Sequence, residues 1–114
     1  MSNNIYQTKN GRIFRCASCD KIHIEFNNIN FNFNDKEFEH FASYIDDLDG
    51  DYWEIANFQV NYRRKIIIPV GHKNINFLLN KEELNELKSL LSNANIYNKP
   101  LKLIKNFKYS FCNN

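Results

Sequence analysis

Glycine is scarce in this chain, with three residues in 114. So few glycines leave little room for a phosphate cradle, and no P-loop pattern occurs. A nucleophile elbow and an HExxH pattern are missing as well. Cysteine is limited to three residues, an odd number that argues against a disulfide framework. The longest apolar runs are far too short to span a bilayer. The opening MSNNIYQTKNGR has no apolar core region, so no signal peptide is expected and the cytoplasm is the expected location. Strong charge of one sign is lacking too: a net charge of +2 selects neither nucleic acid nor a membrane as partner.

What the chain does have is hydrophobic content of 43% with ten Phe and six Tyr, enough for one folded domain with a real core. It also uses one pattern twice. Residues 29–45 read INFNFNDKEFEHFASYI and residues 75–91 read INFLLNKEELNELKSLL. Each copy is an alternating strand, an Asn, a Glu three residues on, and an amphipathic helix; each follows a lysine-led strand, KIHIEF or KIIIPV. Two strand–strand–helix units predict an α+β domain, an antiparallel sheet with two helices on one face. Asn34 with Glu37, and Asn80 with Glu83, predict capping boxes. Asn27-Asn28 predicts a two-residue hairpin turn.

The expected organisation is a flexible N-terminus over 1–10, a single domain over 11–97, and a basic, aromatic tail over 98–114 packed on the domain. The first helix stripe is Phe38, Phe41, Ala42, Ile45 and Leu48, with Gly50 as the stop. Residues 51–64 lack a clean period and read as a loop with some strand after Phe58. In the second unit, Ile66, Ile68, Ile75, Phe77 and Leu79 should face the helices. Ile67, Pro69 and Leu78 should lie on the opposite face, which the tail, the 52–62 loop or another subunit would have to cover.

The sharpest chemical motif is Cys16-x-x-Cys19 in a tight turn between two strands, with His23 four residues on. Thiolates in such a turn, plus an imidazole, are soft ligands suited to a structural zinc. A fourth ligand is not evident; His40, His72 and Cys112 are the remaining soft candidates. Two ordinary thiols in a turn, with His23 on a polar strand face, is the plain alternative. Thiol redox catalysis would need the first cysteine at a helix N-terminus, whereas a strand follows here.

Residues 46–54 carry five acids and no base, yet Asp47, Asp49 and Asp51 do not fit a calcium loop, because Gly50 precedes the third Asp. These acids could instead neutralise Arg63, Arg64 and Lys65. Lys99, Lys102, Lys105 and Lys108, interleaved with Phe107 and Tyr109, could touch RNA, but the domain is not basic enough to favour it over solvated lysines. His40 with Glu37 is more simply the polar face of a helix than an acid–base pair.

The order Arg15-Cys16-x-x-Cys19-x-Lys21-x-His23-Ile24-x-Phe26, followed by RKIIIPVGHKNINFLLNKEELNEL, resembles a small family of uncharacterised bacterial proteins of Bacteroidetes type. The resemblance spans residues 11–91 and implies no activity. The leading expectation is a small cytosolic binding or protein-interaction module with a structural zinc on Cys16, Cys19 and His23. Its partner would be protein (self or other), and the chain a monomer or homodimer. The alternative is a thiol- or metal-dependent enzyme using the same three residues.

Overall fold

The computed structural model describes residues 2–94, with side chains from residue 5 onward. Six strands and three helices follow in the order β1 (Ser2–Gln7), β2 (Gly11–Cys16), β3 (Ile22–Phe26), β4 (Ile29–Phe33), α1 (Asp35–Asp46), α2 (Gly50–Ala56), β5 (Ile66–His72), β6 (Ile75–Leu79) and α3 (Lys81–Asn93). This is an α+β fold, and the two expected units are present as β3–β4–α1 and β5–β6–α3. The strands form not one sheet but two: an antiparallel four-stranded sheet in the order β1-β2-β3-β4, and the β5–β6 hairpin by itself.

Both capping boxes form. Asn34 Oδ1 accepts from the Glu37 amide at 2.8 Å, and Glu37 accepts from the Asn34 amide at 2.8 Å. Asn80 and Glu83 repeat the exchange at 2.8 and 2.9 Å. Each box satisfies orphan donors of a helix start, which is why both helices begin where the Asn stands. Asn27 takes the positive φ of the β3–β4 turn, at 53°.

Alternation sorts the strands into faces. Ile13, Ile22, Ile24 and Phe26 from the larger sheet are buried, as are Ile66, Ile68, Phe77 and Leu79 from the hairpin. Between them lie Leu84, Leu87, Leu90 and Leu91 of α3, joined by Phe38, Ile45 and Leu48. Phe77 bridges the two sheets, meeting Phe26 and Phe31 edge-on at centroid distances of 6.4 and 5.8 Å. Gly11 sits where any side chain would collide: an added Cβ would lie 2.8 Å from Leu90 Cδ2 and 3.0 Å from the Glu25 carbonyl oxygen.

Several expectations need correction. The first ten residues are not frayed throughout, because Ser2–Gln7 pairs with β2. A polar strand can be held by its ladder, and Glu86 of α3 clamps the turn that follows it. That carboxylate accepts from Thr8 Oγ1 at 2.6 Å, the Asn10 amide at 2.7 Å and Asn10 Nδ2 at 2.8 Å. Gly50 does not stop α1, which ends at Asp46. Instead Asp49 caps a second helix by accepting from the Asp51 and Tyr52 amides, so part of the expected 51–64 loop is α2. The absence of a Cβ at Gly50 lets α2 approach Leu84 and Lys81 of α3.

Asp51 pairs with Lys81 at 2.6 Å, while Arg64 grips Glu83 at 2.7 and 3.0 Å, so the acidic run does not neutralise Arg64. Lys65 donates to the Val60 and Tyr62 carbonyls. Ile75 is 56% exposed rather than buried, because the bulge between Pro69 and His72 displaces the tip of the hairpin. Ile67 and Leu78 are half-buried and Pro69 is exposed, on the face away from α3 as alternation requires. The tail expected over this face lies outside the described residues.

Replacing Asn34 or Asn80 by Ala is expected to lower stability by about 1 kcal/mol each. Denaturant midpoints unchanged in both variants would rule out the caps as stabilising elements. A second prediction concerns Glu86. Burial pushes its carboxyl up, but the hydrogen bonds from Thr8 and Asn10 together hold it below its ordinary value. A depressed carboxyl stabilises above its unfolded pKa and loses that contribution as pH falls through the folded value. Amide exchange of β1 should therefore quicken in acid beyond the intrinsic chemistry. Glu86→Gln should quicken it already at neutral pH, and an unchanged β1 protection pattern would contradict the clamp.

Candidate metal centre

The β2–β3 connection is closed by the Cys16 amide donating to the Lys21 carbonyl at 3.2 Å. Inside it, Asp20 adopts φ 57°, a left-handed conformation that Asp tolerates better than most side chains. This curl turns the Cys19 amide onto Cys16 Sγ at 3.3 Å and brings Ser18 Oγ to 3.4 Å from the same sulfur. His23 lies one residue into β3. Its Nε2 stands 3.3 Å from Cys19 Sγ.

The imidazole is fixed from behind. Its Nδ1 lies 2.6 Å from Asn32 Oδ1. An amide oxygen only accepts, so Nδ1 carries the proton and Nε2 presents a lone pair toward the sulfurs. Asn32 is held in turn by Asn30, whose Nδ2 donates to Asn32 Oδ1 at 3.2 Å and whose Oδ1 accepts from Asn32 Nδ2 at 3.1 Å. Phe14 stacks on the His23 ring at 5.0 Å, and Arg12 caps Phe14 at 4.8 Å.

Cys16 Sγ, Cys19 Sγ and a His23 nitrogen all lie within 4.8 Å of one another. Tetrahedral zinc, with bonds of about 2.0–2.3 Å, needs ligand atoms roughly 3.5–3.8 Å apart. The Cys19–His23 spacing nearly meets that already, and rotation of the half-buried Cys16 and exposed Cys19 side chains can supply the rest. The three residues thus fit a metal ion. Among the described residues no other group of three such side chains is close enough to do so.

Hydrogen bonding within the turn also separates the two thiols. The Cys16 thiol is lowered to about 6, chiefly by its hydrogen bond with Cys19 and then by Ser18. The Cys19 thiol is pushed up by the same bond, with burial as a lesser cause. The first proton leaves Cys16, which yields a thiolate of the kind that ligates metals.

The other sequence candidates do not join this cluster. His72 is engaged at the far hairpin, where its Nδ1 accepts from the Asn74 amide at 3.1 Å. His40 lies exposed on α1. Cys112 lies outside the described residues. The calcium reading of the acidic run is not supported, because Asp49 is a helix cap and Asp51 an ion-pair partner. Asn32 and Asn30 are positioning residues that residue type alone did not reveal. Register was the signal: a two-residue turn at Asn27-Asn28 dictates that His23 faces Asn32.

A family model described as a family of unknown function, DUF6686, matches residues 1–114. The chain belongs to this family. The match covers the whole chain, including the residues on either side of 11–91. No curated protein and no solved structure matches. No helix among the described residues is long and apolar enough to cross a membrane.

In chelator-treated, reduced protein, Cys16 should react with iodoacetamide faster than Cys19, and its rate should halve near pH 6. The sign follows from the lowered thiol: thiolate is present above that value and lost below it. A midpoint at the ordinary thiol value of about 8.5 would contradict the assigned hydrogen bonds.

Proposed function

We propose that this protein is a small binding module whose β2–β3 turn holds zinc through Cys16, Cys19 and His23. The observation that carries the reading is the His23 geometry: Nε2 faces Cys19 Sγ at 3.3 Å while Asn32 holds Nδ1 at 2.6 Å. A ligating histidine commonly donates its other ring N–H to an oriented acceptor, which fixes both tautomer and ring angle. Two thiolates and an imidazole are a borderline-soft set that suits zinc, whereas calcium and magnesium take oxygen ligands. Zinc with two thiolates is electrically neutral, which suits a half-exposed turn.

The partner we propose for the module is protein, either a second copy or another chain. Pro69 and the 56%-exposed Ile75 on the β5–β6 hairpin support this reading, since they leave apolar surface open. The rival is a thiol- or metal-dependent enzyme using Cys16, Cys19 and His23. A site with three protein ligands and a water would be the catalytic form, and one with four protein ligands the structural form.

Elemental analysis joined to native mass tests the proposal. We expect one zinc per chain in the wild type and none in a Cys16→Ser/Cys19→Ser variant. A chelator should lower the melting temperature of the wild type only. Equal responses, or no metal in either protein, would remove the site. Cobalt substitution then separates the two forms. A Cys112→Ser change that alters the cobalt spectrum makes the fourth ligand a thiolate; an unchanged spectrum that shifts on adding azide indicates bound water and favours the enzyme.

A further inference from the structure

The least expected surface lies on α2 and the turns after it. Tyr52, Ile55, Phe58 and Tyr62 are 60%, 77%, 74% and 49% exposed. So many large apolar side chains, exposed within a short segment, are not common on a monomer. This segment is not a loose loop. The amides of Asn57, Phe58 and Val60 donate to the carbonyls of Trp53, Ile55 and Asn57, and Asn57 Nδ2 ties the segment to the Lys65 carbonyl at 2.8 Å. The backbone holds these side chains outward while Trp53 packs against the core.

The same region is acidic. Residues 46–54 hold five acids and no base. Asp49 is consumed as a cap and Asp51 by Lys81, whose charge Glu54 also feels, whereas Asp46 and Asp47 form no salt bridge among the described residues. An occupant should therefore be both apolar and basic. Residues 98–114 have that composition: four lysines at 99, 102, 105 and 108, no acid, and Leu101, Leu103, Ile104, Phe107, Tyr109 and Phe111 between and after them.

Reach permits the match. Lys88 of α3 bonds the Leu48 carbonyl, just before α2. From there to Ala94 is roughly 9 Å of helix rise, and residues 95–98 can return about 13 Å if extended. We propose that residues 98–114 dock within the same chain on the exposed side chains Tyr52, Ile55 and Phe58 of α2 and the turn after it, with lysines set against Asp46, Asp47 and Glu54. This does not rest on the metal reading, and its test is done with chelator present.

Zero-length carbodiimide cross-linking of the full chain, followed by peptide mapping, is the primary measurement. We expect links from Lys99, Lys102, Lys105 or Lys108 to Asp46, Asp47 or Glu54 in the monomer band, weakened at about 1 M salt, where screening is strong. Deleting residues 98–114 should raise binding of an apolar dye several-fold, and adding Ile55→Ser with Phe58→Ser to the deleted chain should abolish that gain. Should the deletion fail to fold, the full chain with all four lysines changed to Glu should show increased acrylamide quenching of Trp53, the sole tryptophan. The proposal is overturned if the tail links to no acid of 46–54. It is equally overturned if such links occur only in a dimer band, which would make the occupant a second copy, or if dye binding and quenching do not change.

Discussion

The leucine face of α3 holds this molecule together. The two sheets share no ladder, since hydrogen bonding ends at the edges of the four-stranded sheet and of the β5–β6 hairpin. What joins them is side-chain burial. Leu84, Leu87, Leu90 and Leu91 lie between the two, with Phe77 against Phe26 and Phe31. Each fully buried leucine contributes about 1.5–3 kcal/mol by transfer, so this stripe is a major stabilising unit that both sheets share. Its position is set at both ends by polar contacts. The Asn80–Glu83 box fixes where α3 starts, and Glu86 fixes its height against the β1–β2 turn. Gly11 then allows contact close enough that an added carbon would collide with Leu90.

That arrangement separates architecture from chemistry. α3 packs against the inner face of the larger sheet, where Ile13, Ile22, Ile24 and Phe26 point. The imidazole of His23, with Phe14, Asn30 and Asn32, occupies the outer face by strand alternation. A substitution at Cys16, Cys19 or His23 removes nothing from the leucine stripe. Loss of metal in such variants can therefore be read as loss of ligands rather than of the fold.

How much of this was legible in the sequence depends on whether the signal is local. Capping boxes are local, and both were readable from Asn-x-x-Glu. The β3–β4 hairpin was readable because Asn27-Asn28 supplies the turn and alternation supplies the faces. Cys16, Cys19 and His23 were readable as a set because the turn is short. By contrast, β1 carries almost no pattern of its own; SNNIYQ reads as polar, and its order comes from the β2 ladder and from Glu86, seventy-odd residues away. Helix α2 was hidden because seven residues are too few to show a period, and because Gly50 resembles a stop when it is the first residue of a new helix. The division into two sheets was hidden for a different reason: which strand edge pairs with which is a tertiary choice, and β2 takes β1 rather than the second hairpin. Only the register, once known, reveals Asn32 behind His23.

The turn that holds the three candidate ligands is itself a balance. Asp20 in the left-handed region and two sulfurs held close together both cost free energy in a segment with little apolar burial. Hydrogen bonds from Ser18 and the Cys19 amide offset part of that cost, and they do so best when Cys16 is ionised. A thiolate so prepared, beside an imidazole already oriented by an amide from β4, needs little rearrangement to take a metal. Binding would then stabilise the turn directly, because an unfolded chain offers no such arrangement and the metal's binding free energy becomes folding free energy. The gain would be local to the β2–β3 corner. It would pass to the rest of the molecule through strand register alone, since the leucine stripe lies on the other side of the sheet.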